Sequence, residues 1–219
     1  MSLSNTQLYE LGKKMKFPIA DIVFKDELPP DLEFNKGYIV NLEDEFDENG
    51  KRNDGSHWTC LQINKYPNGK KEGIYFDPYG KPPPQDVEKI CNKVLGSKIP
   101  YSSKDIQSLM NNACGWYCCA FLYMINSFYG RSKDLYQDVE AFLGCFDDLN
   151  KKIDFKKNEY ILKHFFRSKE KSMRLPVSVD TNSITEDTDG NGVDLTKVPV
   201  ETKMMKPETL TKQFAKIDV

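Results

Sequence analysis

The stretch QSLMNNACGWYCCAFLYMINSFYG, residues 107–130, decides the architecture that the rest of the chain must build. From Cys114 to Tyr129 it is apolar on nearly every face, and a helix of that kind belongs in the middle of a domain. Asn111 and Asn112 are good N-cap residues, and Gly130 is a natural stop. We therefore predict a buried central helix that begins near the first cysteine of the stretch.

The position of Cys114 at the start of this helix favours nucleophilic chemistry. The macrodipole and the free backbone N–H groups at a helix N-terminus stabilise negative charge, and so they favour a thiolate. The alternative is that Cys114 is small core filler, as most buried cysteines are. The rest of the chain has to decide between the two.

Length and composition limit the class of protein. The chain has 219 residues and a net charge of -2, which predicts one domain, or one domain with a tail, and no global attraction to nucleic acid. Six cysteines without an N-terminal signal-peptide pattern predict free thiols in a reducing, cytosol-like compartment. No apolar run is long enough to span a membrane, and the Cys and His spacing predicts no metal site.

Apolar periodicity and turn residues divide the chain into helices and strands. The predicted helices besides the central one are Ser4–Lys16, Asp86–Leu95, Leu135–Leu143 and Asp154–Ser168. The predicted strands are Gly37–Leu42, His57–Asn64 and Ile74–Phe76, with a hairpin turn at Asn68-Gly69. Residues 19–30 are predicted to be an irregular connection. This order of elements predicts an α+β fold, in which a small mixed or antiparallel sheet packs around the central helix.

A change in composition predicts the domain boundary. Residues 1–168 carry the apolar pattern of a folded domain, whereas residues 169–219 are rich in Ser, Thr, Asp, Lys and Pro and hold one aromatic residue, Phe214. Such a segment buries little surface, and we predict an extended or flexible tail.

Two residues beside the predicted hairpin complete a site for Cys114. His57 opens one strand and Asp77 closes the next, and these two ends are neighbours in an antiparallel pair. A carboxylate there orients the imidazole, which in turn holds the cysteine as a thiolate. An alternative interpretation is a half-buried strand histidine and an ordinary β-turn in the segment FDPYG.

Two further residues have the chemistry that such a site needs. The side-chain amide of Gln107, seven residues before Cys114, can donate to a developing oxyanion alongside the backbone N–H of Cys114. Gly115 lets the backbone of a substrate approach closely. The alternative for Gln107 is an ordinary surface loop residue.

The motifs GSHW at Gly55–Trp58, YFDPYG at Tyr75–Gly80, and Gln107 followed by NNACGWYCCAFLY at Asn111–Tyr123 resemble the maturation cysteine protease of adenoviruses. Relatives of that enzyme occur in virophages and in virus-like DNA transposons, and the wider clan includes proteases of SUMO and other ubiquitin-like proteins. The resemblance spans about Gln7–Phe128 and implies a papain-like, adenain-like fold.

The resemblance also implies roles and partners. Cys114 is then the nucleophile, His57 the general base, Asp77 the residue that orients it and Gln107 part of the oxyanion hole, while Trp58 and Gly115 contact the substrate. The adenoviral enzyme has Glu where this chain has Asp77. The implied activity is cleavage of capsid and other virion precursor proteins near Gly-containing sites, by a monomer in the virion and in the host-cell cytoplasm.

Two alternatives and two possible activators accompany this interpretation. The alternatives are a deconjugating protease for ubiquitin-like proteins and a non-catalytic binding protein on the same fold. The chemistry requires no cofactor, whereas the family implies an activating peptide or DNA. A predicted basic face could contact DNA weakly, and its residues are Lys151, Lys152, Lys156, Lys157 and Lys163. The alternative is that these lysines form an ordinary solvated helix face, which is more common.

Overall fold

A computed structural model describes residues 3–109, 111–128, 134–149 and 155–173, and within them four strands form one mixed sheet. The strands follow chain order across the sheet and are β1 Ile19–Phe24, β2 Lys36–Asn41, β3 Trp58–Lys65 and β4 Lys71–Phe76. β1 is parallel to β2, whereas the β2–β3 and β3–β4 pairs are antiparallel. The predicted α+β class is confirmed.

The hairpin between β3 and β4 forms at the predicted turn. The ladder ends at the pair of Lys65 with Lys71, and Gly69 has a φ of 84°, which glycine adopts without strain. The side chain of Asn68 accepts a hydrogen bond from the backbone N–H of Lys70 over 3.0 Å. The turn therefore fixes the register of the two strands that carry the candidate site.

Strand β1 corrects the prediction of an irregular connection over residues 19–30. It lies at an edge of the sheet and pairs only with β2, with Asp21 beside Tyr38 and a register irregularity between Ile19 and Asp21. Only Val23 and Phe24 of this strand are buried. Its stability comes from pairing with a segment that follows it in the chain, and local sequence carries little signal of such pairing.

Five helices lie within the described residues. They are α1 Asn5–Met15, α2 Gln85–Leu95, α3 Cys114–Phe128, α4 Leu135–Gly144 and α5 Phe155–Met173. Ser4 caps α1 in a reciprocal arrangement with Gln7, and the Asp134 side chain accepts from the backbone N–H of Tyr136 at the start of α4. The predicted starts of α1 and α4 are thereby confirmed.

Helix α3 is the buried centre of the fold, as its sequence predicts. Every residue from Cys114 to Leu122 is buried. Phe121 stacks on Phe76 of β4 with ring centroids 4.3 Å apart, and the thiol of Cys118 lies 3.4 Å from the carbonyl oxygen of Trp58 in β3. These contacts hold the N-terminal half of α3 against the hairpin strands.

The sheet is buried on both faces because its strand residues alternate between two apolar clusters. One face packs with α1, α3, α4 and α5, and its strand members include Ile39, Cys60 and Phe76. The other face packs with α2, and its strand members include Val40 and Leu61. The period of two follows from the pleat of the strands.

Helix α5 is longer than the predicted Asp154–Ser168 and runs from Phe155 to Met173. The apolar spacing ends near Phe166, but the Lys, Glu and Met residues that follow are strong helix formers.

Residues 174–219, most of the predicted tail, lie outside the described residues. Within the described part of the chain, every helix is too short or too polar to cross a bilayer.

Candidate active site

The β3–β4 hairpin brings His57 and Asp77 together, as predicted. The ladder pairs Cys60 with Phe76, so the same register sets His57 opposite Tyr79 and two pairs away from Asp77. Nε2 of His57 lies 2.8 Å from Oδ1 of Asp77, and the rings of His57 and Tyr79 stack with centroids 4.5 Å apart. The carboxylate therefore fixes one ring nitrogen, and Nδ1 is left to face other groups.

The DPYG turn that carries Asp77 has a defined conformation. Oδ1 of Asp77 accepts from the backbone N–H of Tyr79 over 2.8 Å, and its carbonyl oxygen accepts from Gly80 over 2.8 Å. Gly80 has a φ of 67°, and a Cβ there would lie 2.6 Å from the carbonyl oxygen of Ser103. Glycine thus allows the turn to lie directly against the loop that leads to Gln107.

Cys114 is the first residue of α3, as predicted. The first intrahelical bond runs from the N–H of Tyr117 to the carbonyl oxygen of Ala113 over 3.0 Å. The side-chain oxygen of Asn111 accepts from the N–H of Ala113 over 3.2 Å. The asparagine therefore orders the turn that enters the helix at Cys114.

His57 also interacts electrostatically with Cys114, and this interaction favours the charged imidazole. Burial lowers the pKa of His57, but hydrogen bonds and charge from Asp77 and Cys114 outweigh it and raise that pKa to about 9. At neutral pH the imidazole is thus held as imidazolium beside the Asp77 carboxylate. A charged imidazole is the form that stabilises a neighbouring thiolate.

Four of the other cysteines, Cys91, Cys118, Cys119 and Cys145, have surroundings that oppose a thiolate. Burial raises the pKa of Cys91, Cys118 and Cys119. Cys145, at the end of α4, is exposed, and partial burial of its thiol raises its pKa. His164 lies on the exposed side of α5 with its ring 6.2 Å from that of Tyr160. Cys114 and His57 are thus the pair that the fold brings together.

Gln107 contacts Tyr79, whose ring stacks on His57, and its side-chain amide is already hydrogen-bonded. Its Nε2 donates to the carbonyl oxygen of Asn111 over 3.0 Å and to the phenol oxygen of Tyr79 over 3.2 Å. Its Oε1 is buried without a partner among the described residues. Because Tyr79 is the partly exposed partner, the N–H directed at its oxygen is the one a bound oxyanion can share.

The backbone on both sides of Gln107 is also held. Its N–H donates to the carbonyl oxygen of Pro78 over 3.2 Å, and the N–H of Ile106 donates to the same oxygen over 2.9 Å. From α5, Asn158 donates to the carbonyl oxygen of Ile106 over 3.1 Å, and Glu159 accepts from the side-chain amide of Asn111. The glutamine loop is therefore clamped between the DPYG turn and α5.

The structure gives the two predicted substrate contacts a packing role. Trp58 is 3% exposed, and its indole N–H donates to the carbonyl oxygen of Leu3 over 2.9 Å. A Cβ on Gly115 would lie 3.0 Å from Leu8 of α1. Packing accounts for both residue types, and a contact of Trp58 or Gly115 with substrate stays a prediction.

The predicted basic face is corrected in part. Lys163 is only 4% exposed, so it is not a surface residue, because the side of α5 that carries it turns inward. Lys157 is paired with Asp147 over 2.9 Å, and Lys156 is exposed. Lys151 and Lys152 lie outside the described residues. What remains described is therefore a smaller basic surface than the sequence predicts.

Three residues at the site were given no role from sequence. Tyr79 stands inside the DPYG motif, and Asn111 was predicted only as a helix cap. Glu159 belongs to the polar side of α5, where a solvated face is the usual interpretation. Two of the three carried a sequence signal. Tyr79 is two residues from Asp77 in the quoted motif, and Asn111 is a favoured helix-cap residue. Across the described residues, no group of His, Cys, Asp and Glu side chains is arranged to hold a metal ion.

Comparison with known proteins leaves the site to be interpreted by its own geometry. No protein-family model and no curated protein matches this chain.

Proposed function

We propose that this chain is a cysteine endopeptidase with an adenain-like variant of the papain-like fold. The observation that carries the proposal is the Asp77–His57–Cys114 arrangement, in which the imidazole is hydrogen-bonded to Asp77 and interacts with Cys114, the first residue of a buried helix. The motif order His, Asp, Gln and Cys, and a mixed sheet packed on a central helix, give further support.

The chemistry proceeds as acyl transfer. The Cys114 thiolate attacks the scissile carbonyl carbon, and the resulting oxyanion accepts from the Cys114 backbone N–H and from the Gln107 amide. Nδ1–H of His57 gives its proton to the departing amine, which leaves a thioester on the sulfur. The neutral imidazole then takes a proton from water as that water attacks the thioester, and the acid product leaves.

The roles of the thiol and the imidazole make a cofactor unnecessary for this chemistry. The proposed substrates are virion precursor proteins cut near Gly-containing sites during particle maturation, which follows from the family resemblance of the motifs. The virion and the host-cell cytoplasm are the proposed places of action. Stimulation by a peptide or by DNA remains a separate prediction of that resemblance.

Co-expression with the capsid precursor tests the proposal. The native chain should convert the precursor, Cys114→Ala should leave it intact, and Cys145→Ala, which removes an exposed cysteine, should match the native chain. An unchanged precursor with native protein would overturn the maturation role. Parallel incubation with peptides and with ubiquitin-like fusions separates an endopeptidase from a deconjugating protease, because only the latter needs the folded modifier.

A further inference from the structure

Tyr79 contacts three of the four residues that the proposed chemistry uses. Its ring stacks on His57 at 4.5 Å with planes 19° apart, and its phenol oxygen accepts from Nε2 of Gln107 over 3.2 Å. Its backbone N–H donates to Oδ1 of Asp77 over 2.8 Å. We propose that Tyr79 is a positioning residue that holds the imidazole and the oxyanion-hole amide in register with Cys114. This inference rests on the proposed function.

The stack and the carboxylate together fix the imidazole. A hydrogen bond from Nε2 to Asp77 holds one vertex of the ring but still allows the ring plane to rock about it. The nearly parallel face of Tyr79 removes that freedom, and an aromatic face attracts a cationic ring. Because Nε2 is bonded to Asp77, Nδ1 is the ring nitrogen left for Cys114, which interacts with His57.

The phenol fixes the amide in a similar way. The carbonyl oxygen of Asn111 can only accept, so the nitrogen of the Gln107 amide must face it. The second N–H then points to the oxygen of Tyr79, and the amide plane is held at two points. Tyr79 keeps its own hydroxyl proton, because burial, helped by the nearby Cys114 and Asp77 charges, raises the pKa of its phenol. A neutral phenol remains an acceptor for the amide at working pH.

Two substitutions separate the two contacts. Tyr79→Phe keeps the ring over His57 and removes the acceptor for Gln107, whereas Tyr79→Leu removes both. Tyr9→Phe, on the exposed side of α1, serves as the control for loss of a hydroxyl. All variants are made in a Cys145→Ser background so that Cys114 is the cysteine that reagents report.

Two measurements are needed because they report different contacts. The pH dependence of alkylation by iodoacetamide reports the thiolate–imidazolium pair and needs no substrate. The acylation burst with p-nitrophenyl acetate and the kcat and KM for a peptide report the oxyanion hole. Thermal unfolding of each variant shows whether the fold is retained.

For Tyr79→Phe we expect an unchanged alkylation profile, an unchanged KM, and acylation and kcat lower by about 10-fold, less than deletion of an oxyanion donor costs. For Tyr79→Leu we expect a shifted alkylation profile and a kcat lower by about 100-fold. Normal acylation in Tyr79→Phe would overturn the role of Tyr79 in holding the Gln107 amide. A normal alkylation profile in Tyr79→Leu would overturn its role in holding the His57 imidazole. Losses of acylation and kcat that merely follow the loss of thermal stability would overturn both roles.

The same assays separate this inference from the proposed function. A native chain that is alkylated at Cys114 without any thiolate-type pH profile and gives no burst would overturn the nucleophile, and the role of Tyr79 with it. A native chain with a normal burst but no peptide cleavage would limit the failure to the endopeptidase activity, because the burst still measures the effect of Tyr79→Phe.

Discussion

Oδ1 of Asp77 lies 2.8 Å from Nε2 of His57, and the carboxylate is 1% exposed. The same oxygen accepts from the backbone N–H of Tyr79, so the turn that follows β4 holds the carboxylate in place independently of the imidazole. A buried carboxylate with this geometry favours the charged form of its histidine partner. The charge of Asp77, and not only its shape, should therefore matter.

Asp77→Asn tests that charge. Asparagine can still accept from Tyr79 and His57 through its side-chain oxygen, so the fold should survive while the imidazolium loses its anionic partner. We expect kcat/KM to fall by about 10² to 10⁴-fold, as for other catalytic histidines that lose their carboxylate. The basic limb of the pH–rate profile should move to lower pH. Steady-state kinetics between pH 5 and 10 measure both.

Asp86→Asn is the matched control, because Asp86 is an exposed residue of α2 whose carboxylate lies 3.5 Å from Lys89. It should leave kinetics unchanged. If Asp77→Asn kept the native basic limb, the Asp77 charge would have no part in holding the imidazolium.

The raised pKa of His57 predicts how stability changes with pH. Its pKa of about 9 in the fold lies above the usual 6.5, so its charged form stabilises the folded state. That contribution is fully present below pH 6.5, and it is lost as pH rises through 9. Since the side chain is mostly buried, we expect a contribution of roughly 2 kcal/mol.

Urea unfolding of native protein and of His57→Gln at several pH values measures this contribution. The stability difference between the two should be largest below pH 6.5 and should shrink as pH approaches 9. His164→Gln, on the exposed side of α5, is the control and should give no such trend. A difference between native protein and His57→Gln that grows with pH would contradict the assignment of the charged imidazole.

Local chemistry explains the parts of the fold that could be predicted from sequence. The capping box at Ser4, the turn at Asn68-Gly69 and the apolar run of α3 each act within a few residues. The hairpin then brings His57 and Asp77 together without any further long-range information. These elements and this contact were accordingly predicted.

Long-range contacts explain the parts that were missed. Strand β1 forms because it pairs with β2, and its own residues are half-exposed. In α5, Asn158, Glu159 and Lys163 are buried although they belong to a polar sequence, and Asn158 and Glu159 hydrogen-bond to the loop around Gln107. Sequence periodicity identifies an apolar face, but it does not show that a polar face is also covered.

The contact between Glu159 and Asn111 links α5 to the oxyanion side of the site. Both residues are buried, and the carbonyl oxygen of Asn111 aligns the amide of Gln107. Glu159→Ala leaves the buried Asn111 amide short of an acceptor, which should cost about 1 to 3 kcal/mol of stability. It should also lower kcat by about 10-fold, because a loosened Gln107 is a poorer oxyanion donor.

Glu159→Gln provides the comparison, because its side-chain oxygen can still accept from Asn111. Unfolding by guanidinium chloride and peptide hydrolysis are measured for both variants. We expect the Gln variant to retain most of the stability and kcat. Equal losses in both variants would mean that the negative charge of Glu159, rather than its hydrogen bond to Asn111, is what the site requires.

Gly80 tests whether the DPYG turn must lie directly against the loop before Gln107. In Gly80→Ala the new Cβ would meet the backbone of Ser103 at 2.6 Å, and the φ of 67° adds strain. Gly69→Ala is the matched control, since its φ of 84° carries the same strain and its Cβ would meet nothing within 4 Å. Both should lose about 1 kcal/mol from strain, and Gly80→Ala should lose more because backbone atoms must move. Because that movement displaces both Asp77 and Gln107, kcat should fall in Gly80→Ala alone. Equal kcat values in the two variants would contradict the close packing of the DPYG turn against the loop.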